Sequence, residues 1–553
     1  MLTGHPKGLL VAFFANMGER FGYYTMLAIF TLYLQAKFGY TATEAGFIYG
    51  GFLFGVYFLP LLGGFLADFV FGYGKTILIG TVIMFVGYSL LAWPGMGLWL
   101  VVVALAVISL GTGLFKGNLQ ALVGNLYDDP KYSDNRDNAF TVFYMGINIG
   151  AFFAPSAAEG MNTYILGRSG LTYDQKIPDL AHKFLDGTLK DTTELLALAK
   201  EQMGDAFTDL TAFCNHYIDS LAESYNYAFG IAAVAVIVSL LIFVIFRKYY
   251  KHADVTERQK AKSEEFKGQM VELSPEQTRD RLMALGLVFL VVIFFWMAFH
   301  QNGFTMTIFA RDYTVASVGQ FHYTWFDLRS FLPLLGAIGG LILLIRKGGA
   351  LQKGIGALLL LGGGGLTWWV VSGFEETMPI TPQIFQHFNP IFIVFLAPLI
   401  IGVFTWLRSK NKEPSAPRKI GVGMIIAGAA FIILMLGSMG LKSPAELQGG
   451  VSDTLISPYW LIGTYFTLTI AELFLSPMGI SFVSKVAPPK YKGLMQGGWL
   501  AATALGNMAA GLVGLLWDRL EMWQFFLVLV VMCWLAATFI FAVLKKLERA
   551  AAS

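Results

Sequence analysis

Charge is what this sequence has least of. Of its 553 residues only 14% are Asp, Glu, Lys or Arg, against about 25% in a soluble domain, which excludes a soluble globular chain. Cysteine is almost missing: Cys214 and Cys533 stand far apart in different surroundings, so no disulfide framework is implied. The 7 histidines are scattered without metal-ligand spacing, and no Gly-x-Ser-x-Gly elbow occurs; an enzyme is not indicated, and no cofactor or metal is expected. The Gly362–Gly365 run lacks a following Lys-Ser/Thr at phosphate-loop spacing. Net charge is only +3, which gives no reason to expect nucleic acid as a partner.

Apolar residues fill the space that charge leaves. At 56% hydrophobic with 61 glycines, the chain reads as an all-α polytopic membrane protein whose glycines allow close helix contact. Apolar runs fall at 8–36, 44–70, 75–94, 98–126, 138–164, 226–247, 282–310, 327–345, 351–373, 387–408, 418–440, 458–484, 491–517 and 522–545. That predicts fourteen transmembrane helices in a lipid bilayer, with both termini on one side. Lys7 precedes the first run without a small-residue cleavage site, so that run reads as a retained helix. Of the 39 Lys and Arg, 27 fall in one set of loops and tails, 9 in the opposite set and 3 within runs (Arg20, Lys116, Arg329). The positive-inside rule then makes both termini cytoplasmic, in a cell (inner) membrane. Two halves are expected, 1–250 and 282–553, joined by a charged cytoplasmic linker at 251–281 that could carry one short amphipathic helix. An insert at 160–225 is polar, acidic and helix-forming; Leu196, Ala199, Met203, Phe207, Leu210 and Phe213 recur at helical spacing, which suggests a helical cap over Thr193–Tyr217.

Three runs carry polar groups that hydrocarbon does not tolerate cheaply. Glu19 and Arg20, followed by Tyr23 and Tyr24, sit inside the first run. A charge at a helix centre costs about 2.5–3.5 kcal/mol on insertion scales and should face a partner or water. They form the wall of a polar pathway or, alternatively, a local pair that fixes packing. Lys116 lies mid-run in Gly111-Thr-Gly-Leu-Phe-Lys-Gly-Asn118 with no acidic neighbour in its own helix; it is either an interfacial snorkeler or a cavity residue sharing Glu19 as counter-ion. Asn148, in Phe140-Thr-Val-Phe-Tyr-Met-Gly-Ile-Asn-Ile-Gly150, is the polar group of an otherwise apolar face.

Gly63-Gly-Phe-Leu-Ala-Asp68 with Gly72 and Thr76 resembles the loop motif of the major facilitator superfamily. Together with Glu19-Arg-Phe-x-Tyr-Tyr24, Gly113-Leu-Phe-Lys116 and Phe143-Tyr-x-x-Ile-Asn148-x-Gly150, it is similar to the proton-dependent oligopeptide transporter family. The second half agrees: Phe295-Trp296 with Gln301, Asn389-Pro-Ile-Phe-Ile393, Glu472-Leu-x-x-Ser-Pro477-x-Gly479, and Gln496-x-x-Trp499 with Gly506-Asn507. The resemblance implies a major facilitator fold, two six-helix bundles around a midplane cavity, with the runs at 325–373 as an extra helix pair outside them. It implies symport of di- and tripeptides with protons by a monomer. The peptide carboxylate would meet Arg20 and Lys116, the ammonium Glu472, with Asn148 and Asn389 beside them; Tyr23, Tyr24, Tyr57, Trp296 and Trp499 would line side-chain pockets. The chemistry agrees: a zwitterion needs a cationic and an anionic end, and Arg binds carboxylate with two parallel bonds.

The chain departs from the family pattern at three polar positions. Asn16 stands where the family has the first Glu of its first-helix motif, His300 where the seventh helix has Glu, and Leu27 where the first helix often has Arg. That leaves Glu19, His300 and Glu472 as proton-coupling candidates. An imidazole titrates near neutral pH, so His300 is either a substitute proton carrier or a neutral core histidine. A relative moving another small anionic or peptide-like solute is the alternative function.

Overall fold

The first helix owes its limits to one proline and one glycine. In the computed structural model, which describes residues 4–256, 274–447, 450–488 and 491–552, α1 (Lys7–Phe38) starts after Pro6 and stops where Gly39 turns left-handed at φ 66, its N–H bonded to the Gln35 carbonyl. A reciprocal Thr41–Glu44 capping box then opens α2 (Ala42–Phe71). The same alternation continues through α3 (Tyr73–Leu91), α4 (Leu98–Asn125), α5 (Ala139–Arg168), α6 (Leu210–Ile245), α7 (Pro275–Asp312), α8 (Leu328–Ile345), α9 (Ala350–Ser372), α10 (Pro382–Ser409), α11 (Ala416–Gly437), α12 (Tyr459–Val486), α13 (Leu494–Arg519) and α14 (Met522–Ala542). Among the described residues, 13 helices are long and apolar enough to cross a membrane. α1 is held below that hydropathy by Glu19 and Arg20, yet its 32 residues exceed the ~20 that a bilayer requires. It is the fourteenth spanning helix, as expected.

With fourteen crossings, both ends of the chain lie on one face, here called the terminal face; the opposite one carries the segment between α5 and α6 and is called the insert face. In the first half α1 packs on α5 and α6, and α3 on α4; in the second, α11 packs between α12 and α14, and α7 on α13. The halves meet most closely where α2 runs along α13: a Cβ on Gly511 would collide with the Gly46 carbonyl oxygen, and one on Gly50 with the Met508 carbonyl. Glycine is required there because the two backbones touch.

The stretch expected as an insert at 160–225 begins and ends inside helices: α5 continues to Arg168 and α6 starts at Leu210. The helical spacing over Thr193–Tyr217 falls on two helices. A helix runs Thr193–Met203, Gly204 at φ 51 breaks it, and Asp209 caps α6 by accepting from Thr211 and Ala212 N–H. A second short helix, Ile177–Leu185, packs beside it, and His182 bonds the Ala36 carbonyl at the end of α1 at 2.8 Å. Of the linker, residues 251–256 turn back so that the Asp254 carboxylate accepts from Gly74 N–H at 2.8 Å; residues 257–273, where the linker could carry a short amphipathic helix, lie outside the described residues.

The helices α8 and α9 pack on each other and leave most of their apolar surface outward, Leu351 at 80% exposure. Their ends are tied by a two-stranded antiparallel ladder, β1 (Ser317–Gly319) with β2 (Thr377–Pro379). The pair reaches the rest of the molecule near its insert-face end, where Phe326 meets Phe385 and Phe388, and Phe331 meets Phe152 of α5.

Candidate functional site

The buried charges of α1 are already paired with each other. Arg20 donates from Nε and Nη2 to the two carboxylate oxygens of Glu19 at 2.5 and 2.6 Å, with both side chains almost fully buried. The guanidinium also lies 4.6 Å from the centre of the Tyr23 ring, and Tyr23 stands edge-on to Tyr24 at 5.1 Å. A pair on adjacent residues satisfies the planar fork without help from another helix, and that bears on Lys116. The expected Lys116–Glu19 ion pair is not formed; Arg20 is the partner of Glu19. Lys116 Nζ rests instead 3.9 Å over the ring of Tyr57 on α2, and among the described residues no carboxylate lies within ion-pair distance of it.

From Tyr57 the site crosses to the second half. His300, in a tight turn that interrupts α7 over His300–Gly303, faces Tyr57 edge-on at 6.2 Å and stacks on Trp296 at 5.5 Å. Its Nε2 and the Trp296 indole N–H are buried with no hydrogen-bond partner among the described residues. On the other wall, Asn389 of α10 donates from Nδ2 to Glu472 Oε2 and Thr469 Oγ1 of α12, each at 3.0 Å. Tyr24 and Tyr57 both lie within electrostatic reach of Glu472. Trp499 packs its ring on Gly479, two turns past Glu472, where a Cβ would clash. Asn148 is not drawn into this network: its amide donates back to the Tyr144 carbonyl in its own helix at 3.1 Å.

Lys116, Tyr57, Asn148, Asn389 and Glu472 are partly exposed, while Tyr23, Trp296, His300 and Trp499 are buried. The route to this site is closed on the insert face. Hydrogen bonds between the halves gather there: Thr31 to the Gly303 carbonyl, Gln386 to the Ala28 carbonyl, Arg311 to Gln35 at 2.9 Å, and Gln383 to Glu159 at 2.6 Å.

Three of these contributors escaped the reading of the sequence. Arg311 was counted among loop residues but lies in the last turn of α7, paired with Asp312 at 2.6 Å. Glu159 falls inside the 138–164 run and lies within α5, with no signal in the sequence for its role at the seam. Gln301, noted only as part of a motif, donates to the Ala510 carbonyl of α13 and accepts from Thr305. Arg329 shows the reverse error. It was placed within a membrane run, and it is a largely exposed residue in the first turn of α8, held by Asp327 at 2.6 Å.

A sequence model of the POT family matches residues 74–267 and 371–522, more than half of the chain. The chain is 28% identical over 538 residues to the uncharacterized transporter YclF of Bacillus subtilis (strain 168), covering 95% of this chain and 90% of that one. It is 26% identical to dipeptide and tripeptide permease A of Erwinia pyrifoliae over 92% of this chain and 85% of the relative. Its fold is that of a crystallised peptide transporter POT in complex with sulfate, with a TM-score of 0.66 at 23% identity, 100% of this chain and 96% of the other being covered. Site, fold and matched sequence together place the chain in the proton-dependent oligopeptide transporter (POT) family of the major facilitator superfamily.

Proposed function

We propose that the protein carries out proton-coupled symport of di- and tripeptides into the cell, by alternating access of the site between α1, α2, α4, α7, α10 and α12. The observation that carries this reading is the placement of opposite charges on opposite halves: Lys116 and Arg20 on one, Glu472 on the other, with Tyr24 and Tyr57 within electrostatic reach of Glu472. A short peptide in zwitterionic form has charges to match both ends, and aromatic walls bury side chains without fixing their identity. The names of the permeases among its relatives support the same substrate class. The excess of Lys and Arg on the terminal face supports a cytoplasmic orientation for both termini. With the insert face closed, exchange from this state would take place toward the cytoplasm.

Proton coupling would run through Glu19, His300 or Glu472. The purified protein in proteoliposomes, loaded with one dipeptide and challenged with labelled peptides of one to four residues, tests the substrate class. Counterflow confined to two- and three-residue peptides is the expected result. Exchange of small organic anions with no peptide counterflow would replace this reading with that of an anion carrier.

A further inference from the structure

On the insert face a single carboxylate oxygen ties α5 to the second half. Glu159 lies two turns past Phe152 on the same side of α5; its Oε2 accepts from Gln383 Nε2 at 2.6 Å and from the Thr381 hydroxyl, both on the segment that enters α10. Glu19, Asp312 and Glu472 bond to side chains of their own halves, as the Arg20, Arg311 and Asn389 contacts show. The ionisable groups that face Glu159 are otherwise engaged or uncharged phenols. Tyr225 of α6, Tyr173 of the insert and Tyr323 before α8 lie within its electrostatic reach, and Tyr33 of α1 stands edge-on to Tyr225 at 6.4 Å. Arg311 is committed to Asp312 and Gln35. His387, one turn past Gln383, is enclosed by Phe152 and Phe331. Among the described residues no cation lies within ion-pair distance of Glu159.

We propose that Glu159 is a proton-binding site of the transport cycle and the switch of the insert-side gate. Ionised, it holds the α10 entry through two hydrogen bonds to one charged oxygen, which are about twice as strong as neutral ones. When a proton from the insert side binds the carboxylate, that advantage is lost and the seam between α5 and α10 can part. On reclosing, Thr381 and Gln383 return to Oε2. The inference rests on the transport reading only in taking this seam to open, and its test requires no peptide.

The test places spin labels at Trp93→Cys and Met439→Cys, exposed turns of the two halves on the insert face, in a background with buried Cys214 and Cys533 replaced by Ala. Double electron–electron resonance in lipid nanodiscs follows their separation from pH 8 to pH 5. The expected result is that the long-distance population grows by about threefold or more on acidification. Glu159→Gln should hold that long population at both pH values, and His387→Gln should leave the pH response in place. Thr381→Val with Gln383→Leu, which removes the donors and keeps the carboxylate, should match Glu159→Gln and carries the test if that variant does not fold. A wild-type separation that ignores pH, or a pH response that survives in Glu159→Gln or in the donor variant, overturns the proposal. So does a response lost with His387→Gln alone.

Discussion

Arg20 uses Nε–H and one N–H of Nη2 to hold Glu19, so Nη1 and the second N–H of Nη2 are left to meet a ligand. Lys116, stacked on Tyr57, has all three of its N–H donors available. Lys116→Ala should therefore cut uptake of dialanine by at least about tenfold with folding intact, because a hydrogen bond to a charged partner is worth about 1.5–3 kcal/mol. Transport at the wild-type rate would remove Lys116 from the carboxylate site. At the anionic end, Glu472→Gln should weaken peptides with a free amino terminus, while N-acetylated peptides, poor ligands of the wild type, should lose little more. Competition assays with the two ligand types check this; equal losses would show that Glu472 does not meet the ammonium. His300 poses a separate question. It has a free Nε2 beside Lys116 and no carboxylate partner, so its imidazolium would need the incoming peptide carboxylate close by. His300→Gln should reduce accumulation driven by a pH gradient more than it reduces counterflow at symmetric pH. If accumulation is unchanged, His300 only packs against Trp296. At this scale the sequence was most informative about charges in the middle of apolar runs, since Glu19, Arg20, Lys116 and Glu472 stand out against their neighbours. Arg311 escapes for the opposite reason: it lies in the last turn of α7, where polar composition resembles that of a loop and only packing against a neighbour shows that the helix continues. Glu159 lies inside an apolar run, and only the packing of α5 against the α10 entry shows its role.

Between elements, the insert-face seam is made of backbone as much as of side chains. Gly46 and Gly50 of α2 press on Gly511 of α13, and the Tyr49 hydroxyl reaches the His300 carbonyl at 3.4 Å. Gly511→Leu should therefore prop this seam apart. Overpacking costs about 1–3 kcal/mol, which shifts the ratio of closed to open insert face by roughly 5- to 150-fold. The expected result is faster labelling of a cysteine placed at Thr31 from the insert side, and slower net uptake of peptide; unchanged labelling would mean that α2 and α13 can slide to absorb the side chain. The glycines were legible as a count, but their pairing across the halves was not, because close approach depends on which helices become neighbours. The extra pair α8–α9 was legible as two apolar runs, whereas the short β1–β2 ladder between their ends had no pattern long enough to read.

Over the whole molecule, one ion-paired cluster outside the membrane is insensitive to pH. On the terminal face Glu413 receives two bonds from Arg408 and one from Lys419, and these hold its carboxyl down at about 2. A carboxyl with a depressed pKa loses its contribution only as pH falls through that value, so this clamp stays charged at any working pH and cannot supply a proton-linked step. The insert on the opposite face is packed against α1 and α6. Ile177, Ala181, Leu195 and Ala199 are buried, and the Tyr217 hydroxyl of α6 donates to the Thr172 carbonyl and accepts from Asp174 N–H. Replacing residues 172–208 with a flexible Gly-Ser linker, while keeping α5 to Arg168 and α6 from Asp209, removes those contacts and the His182–Ala36 bond. The loss of a few buried apolar side chains, at about 1.5–3 kcal/mol each, should lower Tm by several degrees. The replacement removes Tyr173 from beside the seam but leaves Arg20, Lys116, Tyr57, His300 and Glu472 untouched, so peptide counterflow should remain within about twofold of wild type, well under the tenfold that one lost charged contact would produce. A deletion variant that elutes as a monodisperse protein but no longer exchanges peptide would show that the insert closes part of the site.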